Sequence, residues 1–79
     1  MAEVITVPKM TEAMTALSIK KWHVKVGDEV VESSLLATIE TDHFTAELEV
    51  YKKGTVLYIS PDTDHIPVDD LLAIIGTEG

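Results

Sequence analysis

A chain of 79 residues with 46% hydrophobic content is a single domain, residues 1–79, near the lower size at which an apolar core holds a fold unaided. It has no cysteine, which excludes disulfides and thiolate metal sites, and its net charge of −8 repels nucleic acid and anionic lipid. No apolar run reaches the ~18 residues that span a bilayer, and no charged, then apolar, leader opens the chain. A soluble, cytoplasmic protein is the expectation.

The dominant hydrophobic period is two, which predicts strands. Residues 3–7 alternate first. Residues 10–17 carry no second apolar face and read as a surface loop. Residues 18–22 form the next strand, followed by a turn at Val26-Gly27-Asp28. Residues 36–40 and 44–50 are two further strands, separated by Thr41-Asp42-His43. In the second of these, Phe44, Ala46, Leu48 and Val50 share one face and Thr45, Glu47 and Glu49 the other. Turns follow at Lys52-Lys53-Gly54, where Gly54 is expected at positive φ, and across residues 60–64.

An internal repeat organises these strands. Leu35-Leu36-Ala37-Thr38-Ile39 recurs as Leu71-Leu72-Ala73-Ile74-Ile75. At the same spacing Asp28 matches Asp64, Val30 matches Ile66, Ile19 matches Thr55 and Trp22 matches Tyr58, which makes Trp22 and Tyr58 core or half-core aromatics. Two copies are too few for a solenoid, which needs at least ~3. The halves should therefore pack face to face about a pseudo-twofold axis. The fold class is all-β, a flattened sandwich or barrel of two antiparallel sheets. Leu36, Ile39, Leu72 and Ile75 should meet in one core, with a hairpin around His43 at one end and the termini at the other.

Val7-Pro8-Lys9-Met10, residues 22–30, Leu35-Leu36-Ala37-Thr38-Ile39-Glu40-Thr41-Asp42, and Pro67-Val68 leading to residues 71–76 together resemble the lipoyl domain of 2-oxo acid dehydrogenase acyltransferases. The similarity covers nearly the whole chain, and Glu40-Thr41-Asp42 at a hairpin tip is its most specific part. The resemblance implies a lysine next, acylated by lipoic acid and swinging between active sites. Here that residue is His43. A ligase needs a primary amine on a flexible stem, whereas an acyl-imidazole hydrolyses. Lys9, Lys20, Lys21, Lys25, Lys52 and Lys53 lie in other elements. Lipoate is thus the family's cofactor, but the expectation for this chain is no cofactor.

Other departures gather near the same tip. Ala16-Leu17 replace a small Glu-Gly type of pair, and Phe44 and Ala46 replace alanine followed by a larger apolar residue. Ser33-Ser34 stand where a Gly-Asp type of turn is common, and residues 62–65 replace a more glycine-rich stretch. Exposed apolar residues are a liability unless they bind something. Ala16, Leu17, Asp42, His43 and Phe44 are therefore the candidate interface, joined by a protein partner or by a second copy, and not by nucleic acid or membrane. A competing reading makes Leu17 core filler and Phe44 an inward residue whose volume offsets Ala46.

His23, His43 and His65 match no metal-ligand spacing, and the aspartates of residues 62–70 lack the glycine and distal glutamate of a calcium loop. No nucleophile setting or deep cleft points to an enzyme. The reading taken is a non-catalytic protein-binding module, a product of engineering, with the carrier tip remade into a recognition patch. The alternatives are a lipoyl carrier domain disabled by loss of its lysine and a natural degenerate domain kept for assembly.

Overall fold

Alternating side chains and closely spaced turns produce eight short strands in the computed structural model, which describes residues 1–77. They are β1 (Ala2–Thr6), β2 (Ala16–Trp22), β3 (Glu29–Val30), β4 (Leu35–Glu40), β5 (Thr45–Glu49), β6 (Gly54–Ile59), β7 (Ile66–Pro67) and β8 (Leu71–Gly76). One sheet has the order β1-β8-β6-β3 and the other β5-β4-β2-β7, with every neighbouring pair antiparallel. Exchanging β1 with β5, β8 with β4, β6 with β2 and β3 with β7 turns one order into the other. That exchange is the pseudo-twofold the repeat predicts.

The register corrects part of the residue matching. Ile19 pairs with Ile39 and Trp22 with Ala37, while Val56 pairs with Ile75 and Ile59 with Ala73. Ile19 is therefore equivalent to Val56 and Trp22 to Ile59, not to Thr55 and Tyr58. Both β2 and β6 carry an irregularity at the same place, between Ile19 and Lys21 and between Val56 and Tyr58. Tyr58 consequently aligns with Lys21 and is exposed on an outer face, so it is not a core aromatic. Trp22 does pack inward, touching both apolar clusters, with its indole Nε1 buried and unpartnered.

The interior divides into two clusters instead of one core. The first gathers Val7, Ile19, Ala37, Ile39, Ile66 and Leu72, together with Met14 and Leu17. The second gathers Val50, Val56, Ala73, Ile75, Val30 and Leu36. Those six match the first six one to one under the exchange, each cluster drawing side chains from both halves. Leu36 and Ile75 thus lie in one cluster, Ile39 and Leu72 in the other, and Ile5, Trp22 and Leu48 bridge them. Burying several aliphatic side chains at ~1.5–3 kcal/mol each is the main term opposing chain entropy.

The turns repeat as closely as the strands. Ser33 N donates to Val50 O (2.9 Å) and Val50 N to Ser34 O (2.8 Å); their counterparts are Asp69 N to Val7 O (3.0 Å) and Val7 N to Asp70 O (2.9 Å). Ser33 and Asp69 both adopt positive φ, 74° and 76°. Gly54 does not, contrary to expectation; among the described residues the positive-φ glycine is Gly27. Gly54 is needed because a Cβ there would collide with the Gly76 carbonyl oxygen and the Ile75 side chain.

Candidate functional site: the β4–β5 tip

The β4–β5 connection is a tight turn held by one side chain. Thr41 N donates to Phe44 O at 2.8 Å, closing the hairpin. The Thr41 hydroxyl oxygen accepts from His43 N and Phe44 N, both at 3.2 Å, and its O–H lies 3.3 Å from Phe44 O. A threonine at the first turn position satisfies amides that would otherwise face solvent alone, which is why these residues favour turns. Asp42 and His43 are left exposed at the apex. The other end of the molecule has the same arrangement without a covalent link: Thr77 N donates to Met1 O at 2.8 Å. The hairpin and the termini are thus pseudo-equivalent places.

Beside the turn lies a groove of ≈ 280 Å³, bordered by Thr15, Ala16, Glu40, Asp42, His43 and His65. The loop carrying His65 is pinned to β2, through Ile19 N to Thr63 O at 2.7 Å and His65 N to Ser18 Oγ at 3.1 Å. His23 stands elsewhere, its Nε2 2.7 Å from Thr38 Oγ1 on the outer face of β4. Among the described residues no group of three or more histidine or acidic side chains is placed to hold a metal ion.

Of the five candidate interface residues, Asp42 and His43 are exposed and Ala16 is half-buried. Leu17 is not on the surface: it retains 2% exposure inside the first cluster. Phe44 is half-buried against the same cluster. The apolar recognition patch therefore lacks Leu17, and Phe44 reaches the surface only in part. The physical reason is the start of β2. The strand begins at Ala16 and not at residue 18, so period two puts Leu17 on the same inward face as Ile19. The alternation is present in the sequence, and Leu17 belongs to the strand and not to the preceding loop. The pseudo-equivalent of Leu17 is Gly54, so Leu17, Met14 and Phe44 are extra apolar volume under the tip.

A family model described as "Biotin-requiring enzyme" matches residues 3–75. The chain belongs to this biotin/lipoyl family. It is 36% identical over 77 residues to the dihydrolipoyllysine-residue acetyltransferase component of the pyruvate dehydrogenase complex from Rhizobium meliloti, covering 95% of this chain and 17% of that protein. It is 41% identical over 56 residues to the dihydrolipoyllysine-residue succinyltransferase component of the 2-oxoglutarate dehydrogenase complex from Rickettsia typhi, covering 71% of this chain and 14% of that protein. The solved lipoyl domain of the 2-oxoglutarate dehydrogenase complex from Azotobacter vinelandii superimposes with a TM-score of 0.78 at 26% identity, covering 96% of this chain and 98% of that one. The chain thus spans under a fifth of the length of these curated relatives but nearly all of a solved lipoyl domain. The engineered binding module finds no support in these likenesses, which favour the carrier-domain alternative.

The family's lipoyl group does not fit the residue at the apex. His43 offers an imidazole on one methylene in place of an alkyl amine, and an acyl group on imidazole is lost to water. Lys52 and Lys53 lie in the β5–β6 turn, and Lys52 Nζ stands 3.9 Å from a Glu3 carboxylate oxygen. No chemical step through a lipoyl group follows from this site.

Proposed function

We propose that this chain is a lipoyl-type domain of a 2-oxo acid dehydrogenase component that has lost the side chain its prosthetic group would occupy. It is a non-catalytic domain that keeps the carrier scaffold without the carrier arm. The observation that carries this reading is His43 at the exposed apex of the β4–β5 turn, in a chain otherwise similar over 95% of its length to an acetyltransferase component. The Thr41 hydrogen bonds keep the turn in shape for recognition even though nothing can be attached. Its contact with partner enzymes of the complex is non-covalent, through the exposed Asp42 and His43 with Ala16 and His65 beside them.

The test is incubation with a lipoyl ligase, ATP and lipoic acid, read by intact mass. The unmutated chain should gain nothing, and His43→Lys should gain one lipoyl group. The scaffold claim fails if the folded His43→Lys variant, confirmed by its amide spectrum, is not labelled.

A further inference from the structure

The pseudo-twofold places two sheet edges side by side. β1 and β5 are exchanged by it, and each is hydrogen-bonded along one side only, β1 to β8 and β5 to β4. Their open sides border one groove of ≈ 490 Å³. Its floor is apolar and symmetric: Ile5 and Leu48 are equivalent, half-buried, and bridge both clusters. Its rim is not symmetric. On the β1 side Val4 is 59% exposed, and beyond β5 Tyr51 is 72% exposed. Glu47, Glu49 and Asp69 add three carboxylates to the lining. Among the described residues no lysine is bridged to any of these three, whereas the Glu3 carboxylate has Lys52.

An open strand edge invites another strand unless its side chains prevent it. Natural edges are often guarded by lysine or proline, and β1 and β5 contain neither. What guards β5 is negative charge alone. That charge, with −8 over the whole chain, repels a second copy of this chain and attracts a cationic one. We propose that the β1–β5 groove binds an extended basic segment of a partner protein, in which lysine or arginine alternates with aliphatic residues. In such a segment successive side chains point to opposite faces. Aliphatic groups meet Ile5 and Leu48, while the cations between them meet Glu47, Glu49 and Asp69. Backbone pairing to the free edge supplies affinity and the alternate pockets supply selectivity. This site goes beyond the tip and does not depend on what occupies position 43.

The experiment uses the ¹⁵N-labelled chain titrated with a capped peptide of about eight residues, alternating lysine and valine, the length of a long strand. Amide shifts should move along β1 and β5, with Ile5, Leu48 and Glu49 among the largest changes. Glu47→Lys combined with Glu49→Lys should weaken binding about tenfold, the product of two rim charges reversed. Both side chains are exposed, so an unchanged unfolding midpoint separates lost binding from lost fold. A peptide alternating glutamate and valine should cause no shifts. His43→Lys should bind the basic peptide as well as the unmutated chain does, so this result stands apart from ligase labelling. Shifts spread over every acidic face, or undiminished binding by the double variant, would overturn the proposal. So would β1 and β5 resonances that move with protein concentration alone, since the occupant would then be a second copy.

Discussion

The two halves match at six buried positions and differ outside, with Leu17 against Gly54 and Trp22 against Ile59 as inward exceptions. Six buried side chains of one cluster map one to one onto six of the other, and the positive-φ turns at Ser33 and Asp69 carry the same pair of hydrogen bonds. Across the outer faces the correspondence fails. Val4, Ile74 and Tyr58 lie in one cross-strand row, and their equivalents are Glu47, Thr38 and Lys21. The fold therefore constrains only what points inward, because closely packed interiors tolerate little change in volume. Everything exposed is free to diverge, including the apex of the β4–β5 turn. A family resemblance can thus be strong over the whole chain and silent about the one position on which carrier chemistry depends.

The largest effect should come from truncating equivalent core residues. Leu36→Ala and Leu72→Ala should each cost about 2–5 kcal/mol, and similar amounts, because both side chains are fully buried at equivalent positions. Denaturant midpoints measure this, and a large inequality would break the symmetry of the two clusters. Leu17→Ala should fall in the same range of about 2–5 kcal/mol, as a core truncation under the tip does. A negligible cost would return Leu17 to the surface.

Gly54→Ala should destabilise by about 1–3 kcal/mol through overpacking, since the added Cβ meets the Gly76 carbonyl. Thr41→Ala should cost about 1 kcal/mol, because the His43 and Phe44 amides lose their shared acceptor. Thr77→Ala, at the equivalent place between the termini, should cost less than Thr41→Ala, which thermal unfolding of the two variants compares. The smallest effect should have the opposite sign. Ser33→Gly should stabilise by about 0.5–1 kcal/mol, the left-handed strain relieved less the extra freedom of the unfolded glycine. Asp69→Gly should do the same if the two turns are equivalent.

Much of this was legible in the sequence. Period-two alternation located β1, β2, β4 and β5, and the Leu35–Leu71 repeat gave the pseudo-twofold. The match of Ile19 with Thr55 went wrong because one fewer residue separates Ile59 from Ile66 than separates Trp22 from Val30. A fixed spacing cannot detect that slip. The two-residue strands β3 and β7 are too short to show a period. The division into two clusters was hidden for a different reason: each draws on both halves, so no stretch of sequence corresponds to either. At the tip, the turn at Thr41-Asp42-His43 was legible from its residue types, and the structure places His43 at its exposed apex. The burial of Leu17 depended on a strand boundary, which is the least certain feature of a periodic pattern.

Position 43 alone should separate this chain from an acylatable domain. This is tested most directly by peptide-mapped mass spectrometry after co-expression with a lipoyl ligase in lipoate-supplemented cells. The unmutated chain should carry no lipoyl group on any peptide, and His43→Lys should carry one on residue 43 only. Lipoyl found on any lysine of the unmutated chain, such as Lys52 or Lys53, would contradict this.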